Sequence, residues 1–264
     1  MKLSRVVTSL CVLVTAVCLP ARAAGASRGG VREVVPGKFA ARYAEWKKEF
    51  LSTETGRGQW QTFERDPQFA LTVVVSNENP QGGGTGGYKW DSSGKLVAAT
   101  ITLGSQLDEG YPDPIYFPVM NSLTAYASAP EAGGHVLAAA KIAHEFGHLM
   151  RTMQTDPALY QLQSQLIPVY NKILLSNGRD TGDEKLLELA RRMGGTPVEI
   201  WEDREYWGET NAMLFLRDRI ADEDLLCGLF GKIRRSVGLY AKSYEERFLE
   251  VARTAPLHGR CGWQ

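Results

Sequence analysis

Apolar residues recur with a helical period near the middle of the chain, in the stretch Val136–Met153. They stand at positions i, i+4, i+7 and i+11, which is the stripe of an amphipathic helix. These residues are Ile142, Phe146, Leu149 and Met153. We expect the helix to bury this stripe and to present its other face to a cleft. Gly147 lies inside the helix although glycine costs helix stability, and close approach by another backbone would explain its presence.

Helical patterns also occur on both sides of this central stretch. Lys38–Leu51 carries four aromatic residues at spacings of four, three and four, which predicts an amphipathic helix that packs into the core. Thr53–Gly58 is expected to end that helix. Later in the chain, Thr196-Pro197 is followed by a glutamate at position 199, a strong helix start, and this helix is expected to run to Arg219. Two shorter helical patterns after Asp156 predict a helical lobe under the central helix.

Strand patterns precede the central helix. Phe69–Ser76 is apolar and β-branched, and Tyr88–Trp90 and Lys95–Leu103 are separated by a turn sequence, so we expect strands of one antiparallel sheet. Asn77–Gly87 is rich in glycine but lacks the phosphate-binding P-loop pattern, which favours a mobile hairpin loop. Gly25–Gly37 is expected to be a flexible lead-in.

The N-terminus has the pattern of a secretory signal, assigned to Met1–Ala23. A positively charged start is followed by the apolar run Val6–Leu19 and by the small-x-small sequence Ala21-Arg22-Ala23. The apolar run is shorter than the roughly 20 residues that span a bilayer. We therefore expect an exported protein, periplasmic or extracellular, with no stable membrane insertion after signal cleavage. The mature chain, residues 24–264, is expected to be a single domain.

The cysteines and the charge balance narrow the class of protein. Signal cleavage would leave only Cys227 and Cys261, and an even pair in an exported protein predicts one disulfide, with two free thiols as the alternative. Lys and Arg total 30, as do Asp and Glu, so the formal net charge is zero. No nucleic-acid partner is expected, because neutralising phosphates requires a basic surplus or patch.

The central helix contains His144-Glu145-Phe146-Gly147-His148, a match to H-E-x-x-H. Two histidines four apart lie on one face of a helix, so both imidazoles can reach one Zn²⁺. Glu145 lies beside them, where it can act as the general base towards a zinc-activated water. His135 stands nine residues before the motif, at an angle that points away from the ligand face, and is expected at the surface or as a helix cap.

A catalytic zinc site requires a third protein ligand. One class of H-E-x-x-H enzyme uses a histidine ten residues after the first, but that position is Gln154 here. Glu209, with Ala212 and Phe215 after it, resembles the E-x-x-A-x-x-F segment of gluzincins, zinc metallopeptidases with H-E-x-x-H and a downstream glutamate. The resemblance implies that Glu209 is the third ligand beside the two motif histidines. It covers the two helices and not the rest of the chain.

One departure from the family pattern leaves a second candidate open. Many members carry Asp or Asn four residues after the ligand glutamate, to orient a ligand histidine, and this chain has Met213 there. Glu205 also resembles the pattern, because Gly208 and Glu209 follow it at three and four residues. Glu209 is the first choice of ligand, and Glu205 is then expected to support the site from behind the ligands.

The resemblance implies an α+β, zincin-like fold. A small antiparallel N-terminal sheet would lie within residues 24–130, and the active-site helix and a helical lobe within 131–264. The implied function is a secreted zinc metallopeptidase that hydrolyses peptide or protein substrates. The alternatives are a zincin-fold binding module whose metal is structural or absent, and a metal hydrolase of a non-peptide bond.

Two further roles are expected of such an enzyme. An oxyanion donor is usually needed, and Tyr206, Tyr160 and His258 are the candidates. The strand Lys95–Leu103 is expected to pair with an extended substrate, as edge strands of zincins do.

Overall fold

The computed structural model describes residues 29–109, 134–155, 157, 160–161, 184, 188, 191 and 197–228, and in the last segment it describes the side chains at 207, 208 and from 210 onward. The predicted signal at positions 1–23, most of the predicted helical lobe, His258 and Cys261 lie outside these residues. No helix in the described part of the chain is long and apolar enough to cross a membrane.

Two helices come first. Helix α1, Ala40–Leu51, buries Tyr43, Trp46 and Phe50, as its aromatic spacing predicted. Thr53–Gly58 was predicted to break the helical pattern, but the break is shorter, because helix α2, Glu54–Glu64, begins directly after Thr53. The Thr53 hydroxyl caps α2 by accepting a hydrogen bond from the backbone N–H of Gly56, 2.9 Å away.

Four strands form one sheet. They are β1 (Gly30–Val34), β2 (Ala70–Ser76), β3 (Gly83–Trp90) and β4 (Leu96–Gly104), in the spatial order β1-β2-β4-β3. Buried and half-buried residues alternate along β2, so one face of the strand is turned to the core. That face carries Leu71, Val73 and Val75.

The prediction of an antiparallel sheet is wrong. β1 and β2 are parallel, β2 and β4 are parallel, and only the β3–β4 pair is antiparallel. Parallel pairing requires a long crossover connection. Helices α1 and α2 supply it between β1 and β2, and β3 supplies the return path between β2 and β4. The sequence prediction assigned β1 to the flexible lead-in and most of β3 to a loop, so both connections were missed.

Helix α3, His135–Met153, contains the motif and lies in the core. The expected division into one buried and one open face is only partly right, because every residue from Val136 to Gly147 is buried. Phe146 packs against an aromatic cluster of α1 and α2, with ring centroids 5.2 Å from Phe50 and 5.8 Å from Phe63. Met153, the last residue of the predicted stripe, is exposed.

Helix α4, Pro197–Arg219, has the predicted start and end. Its second half is buried at Ala212, Met213, Phe215 and Leu216, and it packs along α3. The fold is therefore a mixed α+β arrangement with a small four-stranded sheet, and α3 lies among α1, the sheet and α4.

Candidate metal centre

The two motif histidines converge at one point. The Nε2 atoms of His144 and His148 are 3.0 Å apart, and the two rings meet edge to face with centroids 4.7 Å apart. His144 is buried, whereas His148 is half-buried. The pair therefore has one side in the core and one side reached by solvent. His135 is exposed at the first turn of α3, as predicted.

Glu145 lies against strand β3. Its carboxylate Oε2 accepts a hydrogen bond from the Thr85 hydroxyl at 2.7 Å, and the same hydroxyl is 3.0 Å from the Glu145 backbone oxygen. A Cβ on Gly83 would lie 2.6 Å from Oε1 of this carboxylate. The absence of a side chain at Gly83 is what lets the acid pack directly onto the strand.

Backbone-to-backbone packing joins α3 and α4. A Cβ on Gly147 would lie 2.2 Å from the carbonyl oxygen of Trp207 and 2.9 Å from Cβ of Asn211. The predicted reason for glycine at this position, close approach by another backbone, is confirmed. Gly208 on α4 also allows close packing, because a Cβ there would lie 2.6–2.8 Å from three atoms of the His144 ring.

A buried amide pair ties this helix packing to α2. The Asn211 side chain donates to the backbone oxygen of Ala143, and Asn211 and Gln59 exchange hydrogen bonds at 2.6 and 3.1 Å. Ala143 immediately precedes His144, so the amide pair fixes α4 and α2 at the level of the first motif histidine.

The two candidate third ligands both lie on α4. Glu209 follows Gly208 directly and Glu205 precedes it by three residues, so the backbone brings both positions near the His144 ring. Their side chains are outside the described residues. Among the side chains that are described, no three His, Cys, Asp or Glu residues converge as a metal-binding group.

Lys141, one turn before the histidine pair, is buried and donates to the backbone oxygen of Gln81 at 2.7 Å. Burial lowers the pKa of Lys141 from 10.5 to about 8, against an opposing attraction from Asp108. Gln81 lies in the connection that leads into β3, so the lysine anchors the start of that strand to the motif helix.

The predicted substrate strand requires correction. β4 includes all of the predicted strand Lys95–Leu103 except Lys95, but it lies between β2 and β3, so both of its sides are already paired. The edge of the sheet next to Glu145 is β3. Of the oxyanion candidates, Tyr160 packs against Tyr88 and Trp90 of β3, with ring centroids 4.9 and 5.0 Å away. The side chain of Tyr206 is outside the described residues.

Cys227 is disulfide-bonded. Because Cys261 lies outside the described residues, its pairing with Cys227 stays a prediction.

Sequence reasoning missed five residues of the site, namely Gly83, Thr85, Asn211, Gln59 and Lys141. The glycine-rich run around Thr85 was the only signal for the first two, and it was interpreted as a loop. Asn211 lies within the segment that resembles gluzincins, but nothing in the pattern indicated a contact with Ala143.

Comparison of the chain with protein-family models, with curated proteins and with solved structures found no match.

Proposed function

We propose that the protein is an exported, zinc-dependent metallopeptidase. The observation that carries the proposal is the convergence of the His144 and His148 Nε2 atoms on a helix whose next residue after His144 is Glu145, an acid that lies against an edge strand. Two imidazoles and an adjacent acid are the ligand and base set of zinc hydrolases. The resemblance of the α4 segment to gluzincins supports the same assignment.

The residues present fit a zinc ion. Ligand nitrogens at about 2.0–2.1 Å from a tetrahedral zinc stand roughly 3.3 Å from each other. The 3.0 Å separation of the two Nε2 atoms is close to that value. We propose His144 and His148 as two ligands, and an acid of α4 as the third. Glu209 is the first candidate because Ala212 and Phe215 follow it as in gluzincins. The contact of Gly208 with the His144 ring favours Glu205, because Gly208 is the small residue three positions after Glu205.

The chain's own residues have distinct parts in the proposed hydrolysis. When bound, zinc supplies a Lewis acid that polarises the scissile carbonyl and acidifies water. Glu145 takes the proton from the attacking water and passes it to the leaving amine. The close packing of α4 on α3 holds the first histidine in place, since Gly208 and Asn211 contact it or its neighbour. The half-buried His148 marks the side open to substrate.

An extended peptide suits the shape of this side. β3 is an edge strand whose outer backbone groups have no strand partner in the described sheet, and a peptide can add to such an edge by main-chain hydrogen bonds. Gly83 and Gly84 are exposed on β3, so no side chain there obstructs the approach. We propose peptide or protein substrates on this basis.

The proposal is tested by metal content and peptide hydrolysis together. Purified protein should carry about one zinc per chain, as three-ligand sites do. His148→Ala should lose the metal, whereas the matched control His135→Ala, an exposed histidine of the same helix, should keep it. Equal zinc in wild type and His148→Ala would overturn the site.

Glu145→Gln separates catalysis from binding. It preserves the shape of the side chain and one acceptor oxygen but removes the base, so zinc should be retained while hydrolysis falls by roughly 10²–10⁴. Cleavage at the wild-type rate would refute the mechanism. A zinc-loaded wild type that cleaves no peptide in a degenerate library would favour the binding-module alternative.

A further inference from the structure

The Thr85 hydroxyl has two acceptors on one residue of the motif helix. They are the carboxylate Oε2 of Glu145, at 2.7 Å, and the backbone oxygen of Glu145, at 3.0 Å. A hydroxyl carries a single proton, so Thr85 donates to one of them at a time. A helical carbonyl oxygen that already accepts its own i+4 amide retains a second lone pair, so the backbone oxygen can take the Thr85 bond as well.

The strand supports the same carboxylate at a second point. Gly83 and Thr85 are two residues apart on β3, so they share a face of the strand. The Gly83 backbone lies so close to the carboxylate that an added Cβ would be 2.6 Å from Oε1 and 3.1 Å from Cδ. One carboxylate oxygen therefore rests against Gly83 and the other accepts the hydroxyl of Thr85.

We propose that Thr85 is a positioning residue for Glu145, an inference that rests on the proposed peptidase function. Its hydroxyl holds the carboxylate against β3 before substrate binds and keeps it there while Glu145 takes the proton from water. The hydrogen bond thus fixes the direction in which the base faces, so its loss affects the chemical step more than substrate binding. Both acceptors of the hydroxyl belong to Glu145, so Thr85 also keeps β3 attached to α3.

The kinetic test uses two substitutions of Thr85 and one control. Thr85→Val removes the hydroxyl but keeps the shape, and should lower kcat about 10-fold with KM changed less than about twofold, since a hydrogen bond to a charged group is lost at the reacting end. Thr85→Ser keeps the donor and should restore most of the rate. Thr72→Val, at a half-buried threonine of β2 on the face away from the core, should leave both parameters unchanged. Equal kcat in Thr85→Val and wild type would overturn the positioning role.

A double-mutant cycle tests the contact without any activity. Thr85→Val and Glu145→Met are combined, and unfolding equilibria are measured for the four proteins as purified and again after chelation. The coupling should correspond to a factor of about 5–10 in the unfolding constant, because only the bond to the carboxylate is removed. The control cycle with Thr72→Val should show no coupling.

The two tests separate failure of this inference from failure of the proposed function. If the wild type hydrolyses peptides but Thr85 and Glu145 show no coupling, the positioning role of Thr85 is overturned and the peptidase proposal stands. Coupling without hydrolysis by a zinc-loaded wild type overturns the peptidase proposal, and with it the positioning role of Thr85.

Discussion

The candidate metal centre has two walls that are held in different ways. Helix α4 packs closely on α3 at two glycines, since Gly147 meets the backbone of Trp207 and the backbone of Gly208 meets the His144 ring. Strand β3 and the connection before it contact the same helix through side-chain hydrogen bonds, from Thr85 to Glu145 and from Lys141 to the backbone oxygen of Gln81. The α4 wall is buried around Asn211 and Ala212, while the β3 wall ends at the edge of the sheet.

The two walls therefore suit different roles in the proposed enzyme. A metal site tolerates little displacement of its ligands, and close packing of backbones leaves no soft side chain that can yield. A surface that receives substrate needs free backbone groups and some freedom of movement, which an edge strand joined by a few hydrogen bonds provides. We therefore propose that the α4 wall would retain the metal and that the β3 wall would contact the substrate.

The largest expected effect is at the third ligand on the α4 wall. If Glu209 is the ligand, Glu209→Ala should lose zinc and activity outright, whereas Glu205→Ala should weaken metal affinity or activity by roughly 10–100-fold, the usual effect of a residue that supports a ligand. Zinc affinity and peptide hydrolysis measured on both variants decide the assignment. The reverse order would move the ligand to Glu205, in agreement with the contact of Gly208, and would keep both helices in their roles.

The next-largest effect is expected from replacing a glycine of each wall by alanine and comparing the free energies of unfolding. Gly147→Ala would gain about 1 kcal/mol from helix propensity alone. The clash with the Trp207 carbonyl should reverse that gain and lower the free energy of unfolding by about 3 kcal/mol, with loss of zinc.

The matched control for that clash is Gly84→Ala on β3, where nothing lies within 4 Å of an added Cβ. Its unfolding free energy should stay within about 0.5 kcal/mol of the wild type. Denaturant unfolding gives both values. A Gly147→Ala protein more stable than the wild type would show that α4 does not pack on α3 as described.

The two walls also differ in how far the sequence predicted them. The bounds of α4 and the reason for Gly147 followed from local signals, namely a capping sequence and a glycine that is costly inside a helix. β3 has no such signal, because its glycine run lacks alternation and the strand is defined by pairing with β4. The Thr85 contact joins residues 60 positions apart, and no local pattern encodes such a pairing.

The same limit explains the error in the sheet. The apolar, β-branched composition of Phe69–Ser76 and Lys95–Leu103 predicted two strands correctly, but such composition carries no information on strand direction. Direction depends on the connections, and β1 was hidden in a short segment next to glycines. The third ligand remains a choice between two acids because both satisfy the family spacing in part.

The smallest effect concerns Lys141, which anchors the start of β3. Its pKa is lowered from 10.5 to about 8 by burial, so between these values the unfolded chain binds a proton that the folded protein does not. Stability should therefore rise with pH between about 8 and 10.5, by about 2 kcal/mol between pH 8 and 9.5, and this group should add no further pH dependence below pH 8.

Lys141→Met isolates this contribution from other groups that titrate in the same range. The variant should show a flatter dependence of unfolding free energy on pH, measured by denaturant unfolding at pH 7.5, 8.5 and 9.5. Loss of the bond to Gln81 should also raise hydrogen exchange along β3 and leave exchange in α4 unchanged, since only one wall depends on the lysine. Equal exchange increases in both segments would mean that the walls are not independent, and the division of roles between them would fail.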